Sequence, residues 1–254
     1  MLWKIEIKSP KLLYTSIVFN NMKKNSVQLK SQPKNVILTI TERENIRLNS
    51  HIGKKGYTII KSVLPKGEEE FLKQDLFMKP FVPGAQFGNP NDQSASFPVY
   101  RENTNKMYLP RFYGIQRYGV PDRCDIESGD DIDVPFQNTL RDYQIKIVDI
   151  YCNYVSKPLS IENAQPGGGG ILEVPCGRGK TIMALNIISK LKKKTLILVH
   201  KEFLMNQWIE RMNDFLPTAR IGKIQGPVFD VEGKDIVIGM LQTLYDRALP
   251  ENAF

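Results

Sequence analysis

The chain has 254 residues, enough for one large or two ordinary domains with a buried core, and carries a formal net charge of +8. Its hydrophobic fraction of 41% is typical of a soluble globular protein, and the sequence shows neither a membrane-length apolar run nor the apolar core of a signal peptide. The lack of a signal peptide predicts an intracellular protein. The three cysteines are widely spaced, which predicts reduced thiols and does not fit the paired spacing of zinc ligands. With only two histidines, neither a histidine-rich metal site nor a Ser-His-Asp triad can be identified from the pattern.

The positive charge is concentrated at the start of the chain. Residues 1–66 hold 13 Lys and Arg against 3 Asp and Glu, residues 67–134 hold 7 against 12, and residues 135–254 hold 15 against 12. A basic segment predicts a partner with a phosphate backbone, because each cation placed on a phosphate releases a condensed counterion. A solvated protein face explains the same charge equally well, and aromatic side chains such as Trp3 and Tyr57 fit either base stacking or a small core.

Residues 1–134 alternate short apolar runs with turn residues, which predicts a mixed α+β accessory domain. Nucleic-acid binding is one interpretation of its role. We expect strands at residues 3–7, 36–40 and 57–63, and a long loop over residues 82–96. The acidic, proline-ended segment 130–135 is interpreted as the linker to a second domain, residues 135–254.

The second domain begins with a helix near Leu140, because the apolar positions that follow fall on one helical face. The four glycines 167–170 predict a flexible hinge. Beyond them, apolar runs of strand and helix period alternate, which is typical of an α/β domain with a parallel sheet. The expected strands cover residues 171–174, 195–199, 221–224 and 236–241, and the expected helices cover residues 180–191 and 202–215.

Residues 175–181, Pro-Cys-Gly-Arg-Gly-Lys-Thr, are the most informative segment of the chain, and we name them the phosphate loop. Gly177 and Gly179 allow backbone N–H groups to approach phosphate oxygens that a side chain would block. Lys180 is then placed to reach the β and γ phosphates of a nucleotide, and the Thr181 hydroxyl to hold Mg²⁺. A glycine-rich turn with an exposed lysine is the alternative interpretation.

From residue 140 onward the sequence resembles the first motor domain of superfamily 2 helicases and translocases. Four motifs carry the resemblance: residues 140–144, the phosphate loop, residues 196–208 and residues 235–244. Val174 breaks the general phosphate-loop formula but fits this family's form, in which a proline opens the loop. The forms of these motifs are most similar to excision-repair and transcription helicases and to helicases of large nucleocytoplasmic DNA viruses.

The resemblance implies that the fold is a partial RecA-like P-loop NTPase domain and that the protein is an ATP-dependent helicase. It also implies roles for individual residues. By it, the ATP-binding residues are Arg141, Gln144, Pro175, Cys176, Gly177, Arg178, Gly179, Lys180 and Thr181. Lys180 and Thr181 are the catalytic pair, with Thr181 on Mg²⁺, and Arg141 and Gln144 read adenine. The nucleic-acid-binding residues are His200, Lys201, Gln207, Gln242 and Thr243.

The family's Asp-Glu-x-His motif is not found in residues 1–254, and neither is a second motor domain. We therefore expect a fragment that ends before that motif and binds nucleotide without turnover. Its expected partners are DNA or RNA, single-stranded or duplex, and a second motor domain, with no membrane. If the protein is viral, the resemblance implies the host cytoplasm, the nucleus or the virion.

Two other functions remain open from the sequence. The first is an unrelated P-loop ATPase or nucleotide kinase, which would share the phosphate loop but respond to no nucleic acid. The second is a non-catalytic nucleic-acid-binding module in which the basic residues 1–66 are essential.

Overall fold

A computed structural model describes residues 36–78, 96–157 and 168–246. Of these, the residues up to 127 form one compact unit, called here the first unit, and those from 128 onward form the second unit. The strand expected at residues 3–7 and residues 82–95 of the expected loop lie outside the described residues.

The first unit combines three helices with a five-stranded sheet in the order β5-β6-β2-β1-β7. Neighbouring strands are antiparallel except β1 and β7, which are parallel. A separate two-stranded ribbon pairs β3 with β4. In chain order the elements are α1 (Ile40–Leu48), β1 (Ser50–Gly53), β2 (Gly56–Ile60), α2 (Glu68–Asp75), β3 (Phe77–Met78), β4 (Phe97–Pro98), β5 (Arg101–Glu102), β6 (Lys106–Leu109), α3 (Arg111–Tyr118) and β7 (Arg123–Cys124).

The strand predicted at residues 36–40 is wrong, because this segment leads into α1. The Thr39 hydroxyl accepts from the Glu42 N–H at 3.2 Å, and the Glu42 carboxylate accepts from the Thr39 N–H at 2.8 Å. This reciprocal capping satisfies backbone donors that the helix itself leaves unpaired, and it outweighs the β propensity of the preceding apolar residues. The strand predicted at residues 57–63 corresponds to β2, which is followed by a turn of 3₁₀ helix over Lys61–Val63.

The core of the first unit lies between its sheet and its helices. Strand residues that share one sheet face, Tyr57 and Ile59 among them, are fully buried. At Gly114 of α3 a β-carbon would lie 2.2 Å from Cγ of Tyr57, so glycine lets the helix backbone pack directly on that ring. Helix α3 therefore covers the Tyr57 face of the sheet.

The second unit is an α/β domain, which confirms the predicted fold class. Its sheet has the order β10-β9-β11-β8, in which β9, β11 and β8 are parallel and β10 forms an antiparallel hairpin with β9. Strand β11 is central and four of its five residues are buried. The elements are α4 (Asp142–Val155), α5 (Lys180–Leu191), β8 (Thr195–Val199), α6 (Glu202–Phe215), β9 (Ile221–Gln225), β10 (Val228–Phe229), β11 (Ile236–Met240) and α7 (Leu241–Asp246).

Two predictions around the phosphate loop are corrected by the structure. The described residues 168–175 form neither helix nor strand, so the strand expected at 171–174 is wrong, although Val174 is buried. A strand requires a hydrogen-bonded neighbour, and the sheet of the described residues does not extend to this segment. Of the expected glycine hinge, Gly168 is fixed: its N–H donates to the Val155 carbonyl at 3.0 Å, and a β-carbon there would lie 2.7 Å from Cα of Val155.

The linker predicted at residues 130–135 is also wrong, since this segment is part of the second unit. Ile132 and Val134 are 8% and 3% exposed and belong to the core formed by α5, α6, β8 and β11. Asp131 forms a bridge with Lys193, and the Ile132 N–H donates to the Lys192 carbonyl at 3.0 Å. The acidic residues of the segment are exposed, whereas the apolar residues that alternate with them are buried. The boundary between the two units therefore lies before residue 128 instead of after residue 134.

None of the helices in the described ranges is long and apolar enough to cross a membrane. Within the same ranges, no cluster of three or more His, Cys, Asp or Glu side chains is arranged to share a metal ion. The three cysteines are free thiols, and burial raises the pKa of Cys152 above its usual value.

Candidate nucleotide site and strand-end cluster

The phosphate loop lies immediately before α5 and has the backbone conformation expected from its glycines. Gly177 and Gly179 have φ angles of 77° and 79°, in the left-handed region that side chains rarely adopt. Gly179 is the residue that caps α5, and the helix begins at Lys180. The first N–H groups of α5 lack partners within the helix, and the positive end of its dipole favours an anion there.

The start of α4 holds the phosphate loop through the carbonyl of Arg178. Gln144 is 5% exposed, and its Nε2 donates to this carbonyl at 3.0 Å, while the Tyr143 hydroxyl donates to it at 3.2 Å. The Oε1 of Gln144 accepts from the Arg141 N–H at 3.0 Å. A β-carbon at Gly179 would lie 2.5 Å from Nε2 of Gln144, so this glycine is required for the contact as well as for its φ angle. The structure thus joins two motifs that are about 30 residues apart in sequence.

Lys180 is exposed and directs its ammonium group back along the loop. Its Nζ donates to the carbonyls of Val174 and Pro175 at 3.3 and 3.4 Å, which are long contacts for a charged donor. No carboxylate of the described residues pairs with it. Thr181 follows in the first turn of α5 and is half-buried. The ammonium group therefore retains capacity for an anion at the loop.

A cleft of about 370 Å³ opens between the start of α4 and the phosphate loop. This volume lies within the range of about 300–1,000 Å³ that small-molecule sites occupy. Its lining residues are Asn138, Thr139, Arg141, Gln144, Gly177, Arg178, Gly179, Ile182 and Phe215. Five of the nine predicted ATP-binding residues line the cleft, and Pro175, Cys176, Lys180 and Thr181 do not.

Sequence reasoning missed the wall of the cleft opposite the loop, which is built by Phe215 and the segment before α4. The rings of Phe136 and Phe215 stack with centroids 5.6 Å apart and an interplanar angle of 15°. The Gln137 N–H donates to the Phe215 carbonyl at 2.8 Å, and Asn138 has a φ angle of 92°. Asn138 offered one sequence signal, because asparagine tolerates positive φ better than most residues. Phe215 offered none, since its position depends on how α6 packs.

Four of the predicted nucleic-acid-binding residues meet at the carboxyl ends of β8 and β11, and we name them the strand-end cluster: His200, Lys201, Gln242 and Thr243. Because β8 and β11 are adjacent and parallel, the residues after both strands lie at one edge of the sheet. The Gln242 Nε2 donates to the His200 carbonyl at 3.0 Å, and the Thr243 hydroxyl accepts from the Gly226 N–H at 3.0 Å. All four residues are exposed or half-buried.

Gln207 is not brought into this cluster by any contact in the described residues. It is exposed on α6, six residues after Lys201, which corresponds to a rise of about 9 Å along a helix. The structure therefore separates it from the other predicted nucleic-acid-binding residues.

Comparison with known proteins finds a family model that matches residues 137–253. It is the model of the type III restriction enzyme, res subunit. The match begins one residue before Asn138 and includes the cleft, the phosphate loop and the strand-end cluster. It does not include the first unit.

Two relatives extend the comparison. The chain is 30% identical over 202 residues, 78% of its length, to "Putative ATP-dependent RNA helicase L396" of Acanthamoeba polyphaga mimivirus, of which it covers 36%. It is 29% identical over 143 residues, 54% of its length, to "DNA 3'-5' translocase XPB2" of Sulfurisphaera tokodaii, of which it covers 28%. The chain thus spans about a third of the length of these relatives. An alignment of 202 residues is longer than residues 128–254, so the viral match reaches into the first unit.

Proposed function

We propose that this chain, whose residues 137–253 belong to the helicase domains of superfamily 2, binds ATP between α4 and the phosphate loop and serves a motor that moves along nucleic acid. One observation carries the proposal: Gln144 connects a base-sized cleft to the carbonyl of Arg178 within the loop. A phosphate site and an adjoining pocket for a planar group are together the requirements of a nucleoside triphosphate.

Adenine fits the polar groups that line the cleft. Gln144 uses one donor and one acceptor within the protein, so its amide retains one N–H and one lone pair. Those two groups match the acceptor and donor that adenine presents side by side. Arg141 is exposed beside them and adds a cationic planar group, while Phe215 and Ile182 supply apolar contact. We infer that these residues select the base.

The phosphate loop suits a triphosphate. The backbone N–H groups around Gly177 and Gly179 and the amino end of α5 attract anionic oxygens, and the ammonium of Lys180 adds a mobile positive charge. In this proposal, Lys180 leaves the Val174 and Pro175 carbonyls for the β and γ phosphates. The Thr181 hydroxyl is a candidate ligand for Mg²⁺, which when bound would neutralise phosphate charge.

The strand-end cluster is proposed to contact the nucleic-acid backbone. Lys201 supplies charge, and Gln242 and Thr243, the second and third residues of α7, supply hydrogen-bonding groups. One relative is named an RNA helicase and the other a DNA translocase, so both nucleic acids are candidates. Helix α5, which follows the phosphate loop, and β8, which ends at the cluster, pack in one core, and we propose that this core couples the two sites.

Nucleotide binding is tested most directly with a fluorescent ATP analogue and the variant Lys180→Ala. Removing a charged hydrogen-bond donor costs about 1.5–3 kcal/mol, so we expect affinity to fall about ten- to hundredfold. Lys190→Ala is the matched control, because Lys190 lies near the other end of α5 and pairs with Asp149 on the surface. Equal affinity for the two variants would show that the loop does not bind the phosphates.

Residues 1–254 are proposed to bind nucleotide without turning it over, since their sequence lacks the Asp-Glu-x-His motif that orients the attacking water in the family. The measurement is phosphate release from ATP with and without single-stranded DNA or RNA. Robust nucleic-acid-stimulated release would contradict this part of the proposal while leaving ATP binding intact.

A further inference from the structure

The five-stranded sheet of the first unit has one face that α3 does not cover. Strand register aligns five residues in a row across all five strands, and partners opposite each other in a sheet project to the same side. In strand order these residues are Arg101, Tyr108, Thr58, His51 and Arg123. Tyr57, adjacent to Thr58, projects to the opposite side, where it packs against Gly114 of α3. The row therefore lies on the side away from α3, which we name the open sheet face.

The open sheet face is cationic. Arg101 and Arg123 stand at its two ends and are exposed, and Lys106, two residues before Tyr108 on β6, is exposed on the same side. The Nζ of Lys55, from the turn between β1 and β2, lies 5.1 Å from the centre of the Tyr108 ring. These four side chains place positive charge along the row, which crosses all five strands.

Negative charge on this face is confined, within the described residues, to Asp125. Its carboxylate is already engaged, since it accepts from Nε of Arg123 at 2.7 Å and lies 3.8 Å from Nε2 of His51. Glu102 of β5 is opposite Met107 in the register and so projects to the other side, where it pairs with Lys61 and Lys73. Glu102 is thus separated from the cationic row, whereas Asp125 pairs with Arg123 at one end of it, which leaves Arg101, Lys106 and Lys55 as the cations away from that pair.

Tyr108 is an aromatic platform within the cationic row. It is half-buried, its hydroxyl oxygen is 3.2 Å from Nδ2 of Asn103, and Lys55 lies over its ring. Thr58, the next residue in the row, is 2% exposed, so its side chain is not itself accessible to a ligand. A ring that is held by a hydrogen bond and surrounded by cations suits a base that takes the place of Lys55 over the ring while its phosphates contact Lys and Arg.

We propose that the open sheet face binds single-stranded nucleic acid, with one base stacked on Tyr108 and the backbone following the cations between Arg101 and Arg123. A duplex keeps its bases stacked on each other and offers none to Tyr108, which is why the single strand is the favoured ligand. The surface belongs to the first unit and is distinct from the strand-end cluster, so it does not depend on the motor proposal. The viral relative shares part of the unit that carries it.

The charge contribution is tested with Arg101→Gln/Lys106→Gln in the full chain, without nucleotide, using a fluorescein-labelled thymidine homopolymer and fluorescence anisotropy. Each lost phosphate contact lowers the slope of log affinity against log salt by about 0.7 for a single strand, so we expect a decrease of about 1.4 and a weaker complex. The matched control is Arg43→Gln/Lys66→Gln, which removes the same charge from exposed positions on α1 and before α2. An equal effect of the two double variants would overturn the proposal.

The stacking contribution is tested with Tyr108→Leu and Tyr108→Phe. Leucine keeps an apolar side chain but cannot stack, and we expect about tenfold weaker binding with an unchanged salt slope. Phenylalanine keeps the ring and loses only the Asn103 contact, and it should bind as the native protein does. A loss of equal size in both variants would indicate a structural role for the hydroxyl and would count against stacking.

Photocrosslinking separates this surface from the motor. A single-stranded oligonucleotide that contains 5-bromouridine should crosslink to Tyr108 in the native chain, as mapped by mass spectrometry, and equally in the Lys180→Ala variant. Crosslinks confined to residues 128–254 would overturn the open sheet face while supporting the strand-end cluster. Crosslinks at Tyr108 that persist when Lys180→Ala weakens ATP binding would support this inference regardless of the proposed function. Equal competition by a duplex of the same length would contradict the single-strand preference.

Discussion

The two units differ in the partners of their buried polar groups. In the first unit a fully buried carboxylate lies in the core: Glu68 accepts from Nε and Nη2 of Arg117 at 2.5 and 2.6 Å and from the Tyr118 hydroxyl. In the second unit the buried Gln144 binds the backbone of Arg141 and Arg178, and the buried Asp235 pairs with Arg220, whose side chain is 66% exposed. The first arrangement fixes packing between side chains, whereas in the second Gln144 holds the phosphate loop.

Each arrangement has a physical consequence. A buried ion pair contributes little net stability, but the loss of one partner leaves an uncompensated charge in a low-dielectric core. Burial raises the pKa of Tyr118, and the neighbouring Glu68 carboxylate adds to this, so the phenol stays protonated as a donor. The second unit instead has an apolar centre around β11, so substitutions there act through packing. The predictions that follow use these differences.

The largest effect is expected for Glu68→Gln in the first unit. The amide cannot neutralise Arg117, and we expect a loss of about 3–5 kcal/mol in the free energy of unfolding. Glu70→Gln is the control. Glu70 lies two residues after Glu68 in α2 and is exposed, so its substitution should change stability little. Chemical denaturation followed by hydrogen exchange of β2 and of β11 locates the effect. Equal loss of protection in both strands would contradict separate cores.

The second prediction tests whether residues 128–134 belong to the second unit. Ile132→Ala should lower the free energy of unfolding by about 2–3 kcal/mol, because it leaves a cavity in the core around β8. We expect a value near the low end for such substitutions because the side chain is 8% exposed. Asp133→Ala changes the exposed neighbouring residue and should cost well under 1 kcal/mol. Hydrogen exchange in β8 is the measurement, and an unchanged rate in Ile132→Ala would restore the linker interpretation.

The third prediction compares the two glycines of the phosphate loop. Gly177→Ala and Gly179→Ala both place a β-carbon at a positive φ angle, which costs about 1 kcal/mol. At Gly177 no atom lies within 4 Å of the added carbon, whereas at Gly179 it meets Gln144. We expect Gly179→Ala to be less stable than Gly177→Ala by about 1 kcal/mol and to speed hydrogen exchange at the start of α4. Equal stability would show that the Gln144 contact is dispensable.

The smallest effect is the pH dependence contributed by His51 in the first unit. Burial lowers the pKa of its imidazole below the usual value of 6.5, although nearby Asp125 acts in the opposite direction. Protonation therefore favours the unfolded chain, so this contribution to stability is complete above about pH 6.5 and declines as the pH falls through the lowered pKa. Denaturation of the native protein and of His51→Gln at pH 7.5 and 5.5 should show a smaller acid loss in the variant. A larger loss in the variant would reverse the sign.

Much of the second unit follows from local sequence. The helices predicted at residues 180–191 and 202–215 and the strand at 195–199 match α5, α6 and β8 in both bounds. Apolar periodicity is a local signal, so such elements can be predicted without knowledge of their long-range contacts. The strand expected at residues 171–174 failed, because strand formation depends on a neighbour that periodicity does not reveal. The prediction of a linker at residues 130–135 was wrong, because an acidic segment with alternate apolar residues can also pack its apolar side chains into a core and expose its acidic ones.

The sequence by itself determined the phosphate loop, because the need for glycine at a positive φ and for a lysine at the start of a helix is local. It also determined the α/β class of the second unit. Only the tertiary structure decided how Gln144 meets Arg178, how Phe215 closes the cleft and how Arg101, Tyr108 and Arg123 align across one sheet. These contacts join residues far apart in the chain, so their geometry comes from packing and strand register and leaves no local pattern to read.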